Sequence, residues 1–214
     1  MKALVGAEAP NPEDRTANLN NLRQLGISLM LYTDENDGLL PPRSHPNRWP
    51  NRLQDGYRDL RLLLCPSDGP APASGFADPV AYPADAAHRS YIYNAWNDFY
   101  MVHYNNPAWR KLAATNEFSI SEGDIVEPAD TVVFGEKETT CTHWYLDYEQ
   151  NEDINGILEQ SRHATNSRKL ASGGSNYTFA DGSARLEKWG HTLSPVNLWL
   201  VLPEWRNTAV PTVP

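Results

Sequence analysis

The sequence has no apolar run of the roughly 18 to 20 residues that a membrane-spanning helix requires. Residues 1–7 also form too short an apolar stretch for a secretory signal peptide. These two absences leave two interpretations open. The protein is either cytosolic, or it is exported by a segment that is missing from the chain as it is written.

Clustered basic residues are also lacking. The 18 lysines and arginines are outnumbered by 27 aspartates and glutamates, which gives a formal net charge of −9 at pH 7. The closest basic cluster is the pair Arg168-Lys169. Because phosphate binding needs clustered Lys and Arg, we expect no nucleic-acid partner. The acidic surface favours solubility and tolerates divalent cations, without specifying a ligand.

Cysteine is scarce, since Cys65 and Cys141 are the only two. Their spacing fits no metal-binding motif by itself. In an oxidising compartment they could form a disulfide that stabilises the fold by about 4 kcal/mol on a loop-entropy estimate. The alternative is a pair of half-buried thiols that are not bonded to each other.

One long amphipathic helix is the clearest element that the sequence does contain. Pro12 suits a first helical turn, and Glu13 and Asp14 suit its positive end. Apolar residues then recur at three- and four-residue steps from Leu19 to Tyr32. Gly38 is a candidate C-cap, so the helix is predicted to cover about five turns.

Short strands are predicted after this helix, at residues 91–94, 131–135 and 143–146. Residues 176–180 and 183–187 flank Asp181-Gly182, which is typical of a β-hairpin turn. For this chain of 214 residues, the order predicts an α+β domain in which a long N-terminal helix packs on a small antiparallel sheet with long loops. We expect a disordered or extended lead at 1–11, the domain at 12–190, and a C-terminal extension at 191–214 that packs on the domain or trails from it.

Four segments in this order resemble one protein family. They are residues 18–26 (NLNNLRQLG) with 36–41 (NDGLLP), residues 64–68 (LCPSD) with 90–94 (SYIYN), residues 128–136 (PADTVVFGE), and Arg162-His163 followed by 176–183 (NYTFADGS). Together they resemble the pilin-like proteins with a C-terminal His…Asp-Gly signature, relatives of type II secretion pseudopilins. The resemblance implies a pilin-like fold and the head domain of a subunit for a surface filament or a type II secretion assembly.

The resemblance also implies partners and a location. The partners would be other pilin-like subunits, and the location would be extracellular, at the cell surface or in the periplasm. Members of the family usually begin with a prepilin leader and an apolar anchor helix, which this sequence lacks. We expect either that the chain is truncated or differently started, or that it is a soluble descendant with another role.

The sequence departs from the family pattern at two places. The spacer between the His and the Asp-Gly is usually nine residues in the family, and here it is longer between His163 and Asp181. A site shared by these two residues is therefore in doubt. The family often has Cys where Asn18 stands, which leaves Cys141 as the alternative disulfide partner of Cys65.

Oxygen-bearing side chains at alternate positions form a candidate calcium loop. Its predicted ligands are Asp147, Glu149, Asn151, Asp153 and Asn155, which precede a glycine. The twelfth loop position would be Arg162, which excludes an EF-hand. The resemblance also implies calcium, because major pseudopilins stabilise a C-terminal loop with it. The alternative is an acidic solvated loop.

A hydrolase on the same scaffold is the main alternative function. Asp181 could orient His163 as a general base for Ser183, with an ester, lactone or glycan as substrate and calcium as support. No Gly-x-Ser-x-Gly elbow accompanies these residues. The competing interpretation places Asp181 in a hairpin turn and has His163 hydrogen-bonded to a neighbouring loop.

Two further sites are weighed as alternatives. His143, His163 and His191, with Asp147 or Glu136, could bind a transition metal, although their spacing does not require it. Four aromatic residues could instead form a carbohydrate-binding surface, with a glycan as partner, or pack the interior of a loop-rich domain. They are Trp96, Tyr100, Tyr104 and Trp109.

Overall fold

The structure is a computed structural model that describes residues 12–104, 119–147, 151–164 and 172–207. Its helices are α1 (Pro12–Glu35), α2 (Trp49–Arg52), α3 (Gln54–Tyr57), α4 (Pro83–Ala86), α5 (Asn97–Tyr104), α6 (Asn151–Gly156) and α7 (Pro203–Arg206). Its strands are β1 (Tyr91–Asn94), β2 (Val132–Glu136), β3 (Tyr145–Leu146), β4 (Gly174–Phe179) and β5 (Ala184–Lys188). Short 3-10 turns lie at Leu60–Leu63, Glu122–Asp124 and Pro128–Asp130. None of the described helices is long and apolar enough to cross a membrane.

The long first helix is confirmed. Leu22, Leu25 and Leu29 are buried on one face of α1, as their three- and four-residue spacing predicts. Beyond the helix, Gly38 has a φ of +80°, a conformation that favours glycine. Its N–H donates to the carbonyl of Thr33 over 3.0 Å, which satisfies one of the last helical carbonyls.

The five strands form one sheet in the order β3-β1-β2-β4-β5. The hairpin β4–β5 is confirmed, with Asn176 opposite Leu186. β1–β2, β2–β4 and β4–β5 are antiparallel, but β1 and β3 are parallel, so the prediction of an antiparallel sheet is wrong at that edge. The chain leaves β2, crosses over through 137–144, and returns on the far side of β1.

The first helix lies across the β4–β5 hairpin. Thr178 donates from its hydroxyl to the carbonyl of Leu22 over 3.0 Å. A Cβ atom built on Gly26 would stand 2.9 Å from the carbonyl oxygen of Gly182, so only glycine permits this approach. The helix therefore rests directly on the Asp181-Gly182 turn.

Both faces of the sheet are covered. The α1 face carries a large aromatic core that includes Trp49, Tyr93 and Phe134. On the other face, Trp199 packs with Tyr177, their ring centroids 6.2 Å apart. The segment expected to be a C-terminal extension thus supplies, up to residue 207, part of the second core.

Candidate functional site: a buried polar cluster beneath the first helix

A group of polar side chains is enclosed between α1 and the sheet. Asn18 comes from α1, Cys65 from the loop after the first 3-10 turn, Glu136 from the end of β2, and Arg162 and His163 from the segment that leads into β4. Asn18, Cys65, Glu136 and His163 are buried, with Glu136 0 % exposed, and the side chain of Arg162 is 6 % exposed. Since a buried carboxylate is stable only with compensating partners, the contacts of Glu136 organise the site.

Glu136 is hydrogen-bonded through both carboxylate oxygens. Asn18 Nδ2 donates to Oε1 over 2.6 Å, and the backbone N–H of Asn176 donates to Oε2 over 2.9 Å. His163 Nε2 lies 3.0 Å from Oε2, and Arg162 Nε lies 3.3 Å from Oε1. Burial alone would raise the pKa of Glu136, but the contacts with His163, Arg162 and Asn176 outweigh it and hold that pKa below its ordinary value.

Arg162 connects this carboxylate to a second one. Its Nη1 is ion-paired with Asp68, which is also buried, and its Nη2 donates to the carbonyl of Lys137. Burial raises the pKa of Asp68, and the charge of Arg162 with a hydrogen bond from Thr139 more than offsets this, so the net pKa is lowered. One guanidinium therefore serves two buried carboxylates.

The thiol of Cys65 lies against the same cluster. Burial, and then the charge of Glu136, raise the pKa of this thiol well above its ordinary value, despite a side-chain hydrogen bond with Asn18. A neutral buried thiol is a poor nucleophile. Without a cation beside it, Cys65 is therefore suited to packing rather than to nucleophilic attack.

Some polar atoms at the site have no hydrogen-bond partner among the described residues. They include Asn18 Oδ1, His163 Nδ1 and Asn176 Oδ1. Such orphaned groups are uncommon in protein interiors, because each costs about 1 to 3 kcal/mol of desolvation free energy. The cluster therefore retains unused donor and acceptor capacity at its centre.

The proposed hydrolytic triad is not assembled. His163 N donates to the carbonyl of Gly174 at the start of β4, whereas Asp181 and Ser183 lie beyond the end of that strand. The six residues of β4 make five steps of about 3.3 Å, so the two places are roughly 17 Å apart along the strand. Asp181 Oδ1 instead accepts from the backbone N–H of Ser183 over 2.9 Å, which stabilises the exposed hairpin turn. His163 binds Glu136 rather than Asp181.

The predicted calcium loop does not form over its described part. Asp147 is paired with Arg43 and accepts from Asn97 Nδ2 over 3.0 Å. Residues Asn151–Gly156, which include Asn151, Asp153 and Asn155, are helical rather than looped. Helical backbone does not direct alternate side chains to one point. Glu149 lies outside the described residues.

The candidate disulfide does not form, and the two thiols follow the alternative in which they are not bonded to each other. Cys65 and Cys141 are both buried and are not bonded to each other. Cys65 belongs to the core on the α1 face, and Cys141 belongs to the core on the opposite face. The sheet therefore keeps the two sulfur atoms apart.

The three histidines considered for a metal site lie in different places. His163 is with Glu136, as one of the alternatives requires. His143 and Asp147 line an open cleft, while His191 Nδ1 contacts Glu187 Oε2 at 2.5 Å. The structure replaces this set by another: ligand atoms of Cys65, Glu136 and His163 all lie within 4.8 Å of one another.

The aromatic surface expected for glycans is largely interior. Trp96 is 1 % exposed and Tyr100 is fully buried, so neither can stack on a sugar. The side chain of Tyr104 and the whole of Trp109 lie outside the described residues. Packing, the other interpretation, is confirmed for Trp96 and Tyr100.

A cleft that the sequence did not reveal opens beside β3. It has a volume of about 460 Å³ and is lined by Arg43, His45, Arg48, His143, Trp144 and Asp147, among others. The guanidinium of Arg48 lies 3.8 Å from the ring centroid of Trp144, and that of Arg89 lies 4.4 Å from it. These residues come from separate loops, so no local pattern marks them.

The buried cluster was missed as a unit, although its members lie in the four segments quoted for the resemblance. Asn18, Cys65 and Glu136 belong to the first three segments, and His163 with Asn176 belongs to the fourth. Their membership of segments that carry one resemblance was the sequence signal that could have indicated a shared site. Comparison with family models, curated proteins and solved structures finds no match for this chain.

Proposed function

We propose that this chain is the head domain of a pilin-like subunit and acts by packing against other pilin-like subunits. The observation that carries the proposal is the convergence of the four segments on one site. Residues far apart in the sequence, such as Asn18 and His163, meet where α1 rests on the sheet. If the four segments form one motif that is inherited with the fold, their residues are expected to meet at one site.

The cluster gives α1 a fixed position on the domain. Asn18 binds Glu136 near the start of the helix, and Gly26 contacts the hairpin turn near its middle. A helix held at two points cannot slide or rotate without breaking buried contacts. In a filament subunit, this fixed contact would set the position of the outer surface of the head relative to the helix.

The outward side of α1 suits contact with another subunit. Ile27, Met30 and Leu31 lie at helical spacing on that side and are 56 %, 49 % and 48 % exposed. Exposed Arg23 precedes this stripe, and exposed Asp34 follows it. Opposite charges at its two ends allow the Arg23 end of one helix to attract the Asp34 end of a neighbouring helix.

Disulfide cross-linking in cells that produce the whole gene product tests the proposal. With Ile27→Cys or Leu31→Cys, oxidation is expected to give cross-linked dimers, because neighbouring helices would meet at these positions and each chain carries one accessible thiol there. Val126→Cys is the control, since Val126 is 68 % exposed but lies outside α1. Only monomers at positions 27 and 31, or an equal yield of dimers at position 126, would contradict the proposal.

A further inference from the structure

The ligand atoms of Cys65, Glu136 and His163 surround one point. Because no two of them are farther apart than 4.8 Å, a common point lies within roughly 2.8 Å of all three by simple geometry. Zinc bonds to sulfur, imidazole nitrogen and carboxylate oxygen are about 2.0 to 2.3 Å long. Small side-chain adjustments therefore suffice to place a zinc-sized ion between them.

We propose that Cys65, Glu136 and His163 bind a divalent transition-metal ion of the zinc type, with Asn18 Oδ1 as the fourth ligand. The thiol, imidazole and carboxylate are a donor set that favours zinc or cobalt over calcium or magnesium. This site is independent of the proposed assembly function, so either proposal can fail without the other.

Unused polar atoms are the second observation that points to a ligand. Asn18 is 0 % exposed, and its Oδ1 has no hydrogen-bond partner among the described residues. Its Nδ2 lies 2.6 Å from Glu136 Oε1 and 3.3 Å from His163 Nε2. Turning the amide by half a rotation would bring Oδ1 to the place where a fourth ligand is needed.

The charges of the site also favour a cation. Glu136 and Asp68 carry two negative charges, and Arg162 is the positive group that contacts both. Metal binding forms a sulfur–metal bond at Cys65, and the thiol proton leaves to solvent. Two metal charges then balance the thiolate and Glu136, while Arg162 balances Asp68. The loaded cluster would be neutral.

Titration of the purified chain with Co²⁺ tests the site. We expect one Co²⁺ per chain, a thiolate-to-cobalt charge-transfer band, and intense visible bands that report tetrahedral geometry. Cys65→Ser is expected to abolish the charge-transfer band and weaken binding at least about 100-fold, since even changes beyond the direct ligands cost 10- to 100-fold. Cys141→Ser is the matched control, because it removes the other buried thiol and should keep the band.

X-ray absorption of the zinc-loaded native chain gives a second readout that needs no variant. One sulfur and three nitrogen or oxygen neighbours are expected around zinc. Absence of a sulfur neighbour would overturn the proposal, as would a charge-transfer band that persists in Cys65→Ser. The native chain remaining spectroscopically silent with stoichiometric Co²⁺ would overturn it as well.

Discussion

His163 Nε2 lies 3.0 Å from Glu136 Oε2, and both side chains are completely shielded from solvent. Burying a carboxylate costs several kcal/mol unless it is paired. The contact with His163, which is distant in the sequence, provides such a pairing for Glu136. Glu136 therefore stabilises the fold through its side-chain contacts, which its position at the end of β2 alone does not predict.

Replacing Glu136 by glutamine should destabilise the metal-free protein by about 3 to 5 kcal/mol, because it leaves Arg162 and His163 without their common carboxylate. Denaturant unfolding at neutral pH measures this loss. The lowered pKa of Glu136 means that its stabilisation is present above its ordinary pKa and is lost as the pH falls through the lowered folded value. The difference between native and variant chains should therefore shrink in acid.

Exposed Glu204→Gln is the control for removal of one carboxylate. It should change the free energy of unfolding by less than about 0.5 kcal/mol. A change below about 1 kcal/mol in Glu136→Gln itself would show that the buried pairing is not formed.

Glu138 should make the protein less stable as the pH rises. Burial, and then the neighbouring Glu159, raise the pKa of Glu138 to about 7. The folded chain thus holds a proton between the ordinary pKa and about 7 that the unfolded chain releases, so stability falls across this window. Glu138→Gln should raise the melting temperature at pH 8 and leave it nearly unchanged at pH 4.

Glu35→Gln, at the exposed end of α1, is the matched charge-removal control for this experiment. Its effect on the melting temperature is measured at the same two pH values, pH 4 and pH 8, and Glu138→Gln should gain more between them than this control does. A pH-independent effect of Glu138→Gln would contradict the account of the Glu138–Glu159 pair.

Asn18→Cys should allow a disulfide with Cys65, because the Asn18 side chain is hydrogen-bonded to that thiol. By loop entropy the closed loop would add about 4 kcal/mol of stability under oxidising conditions. Thiol counting in denaturant, without reductant, measures the bond. Asn20→Cys is the control, since Asn20 is exposed on α1. One free thiol is expected in Asn18→Cys, and three free thiols would show that α1 is not seated as described.

Gly26→Ala should destabilise the fold by about 1 to 3 kcal/mol, although alanine favours helices. The added Cβ would stand 2.9 Å from the Gly182 carbonyl oxygen and 3.0 Å from Thr178 Cγ2. Gly156→Ala, where a Cβ would meet nothing within 4 Å, should be neutral or slightly stabilising. Thermal unfolding compares the two. A stabilising effect at position 26 would mean that α1 does not rest on the turn.

Local sequence patterns predicted well the helices and strands that depend on residues close together in the sequence. The helix from Pro12, the strand at 91–94 and the Asp181-Gly182 hairpin follow from helical spacing, β-branched or aromatic residues, and turn chemistry. A loop was predicted at Asn151–Gly156, which is helical. Polar residues at alternate positions are compatible with either conformation, so tertiary contacts determine which one forms.

Long-range contacts set the remainder of the fold and the site. Asn18 and Glu136 are 118 positions apart, and Asn18 and His163 are 145 apart. No spacing rule connects residues at such separations. The parallel β3 and the packing of Trp199 against the sheet likewise depend on where the crossover and the C-terminal segment return.

A double-mutant cycle between Asn18 and Glu136 tests most directly whether the buried cluster fastens α1 to the sheet. Unfolding free energies of the native chain, Asn18→Ala, Glu136→Gln and the double variant provide the coupling energy. Since the two side chains are 2.6 Å apart, we predict a coupling of about 1 to 3 kcal/mol. Additive effects within about 0.5 kcal/mol would contradict the account.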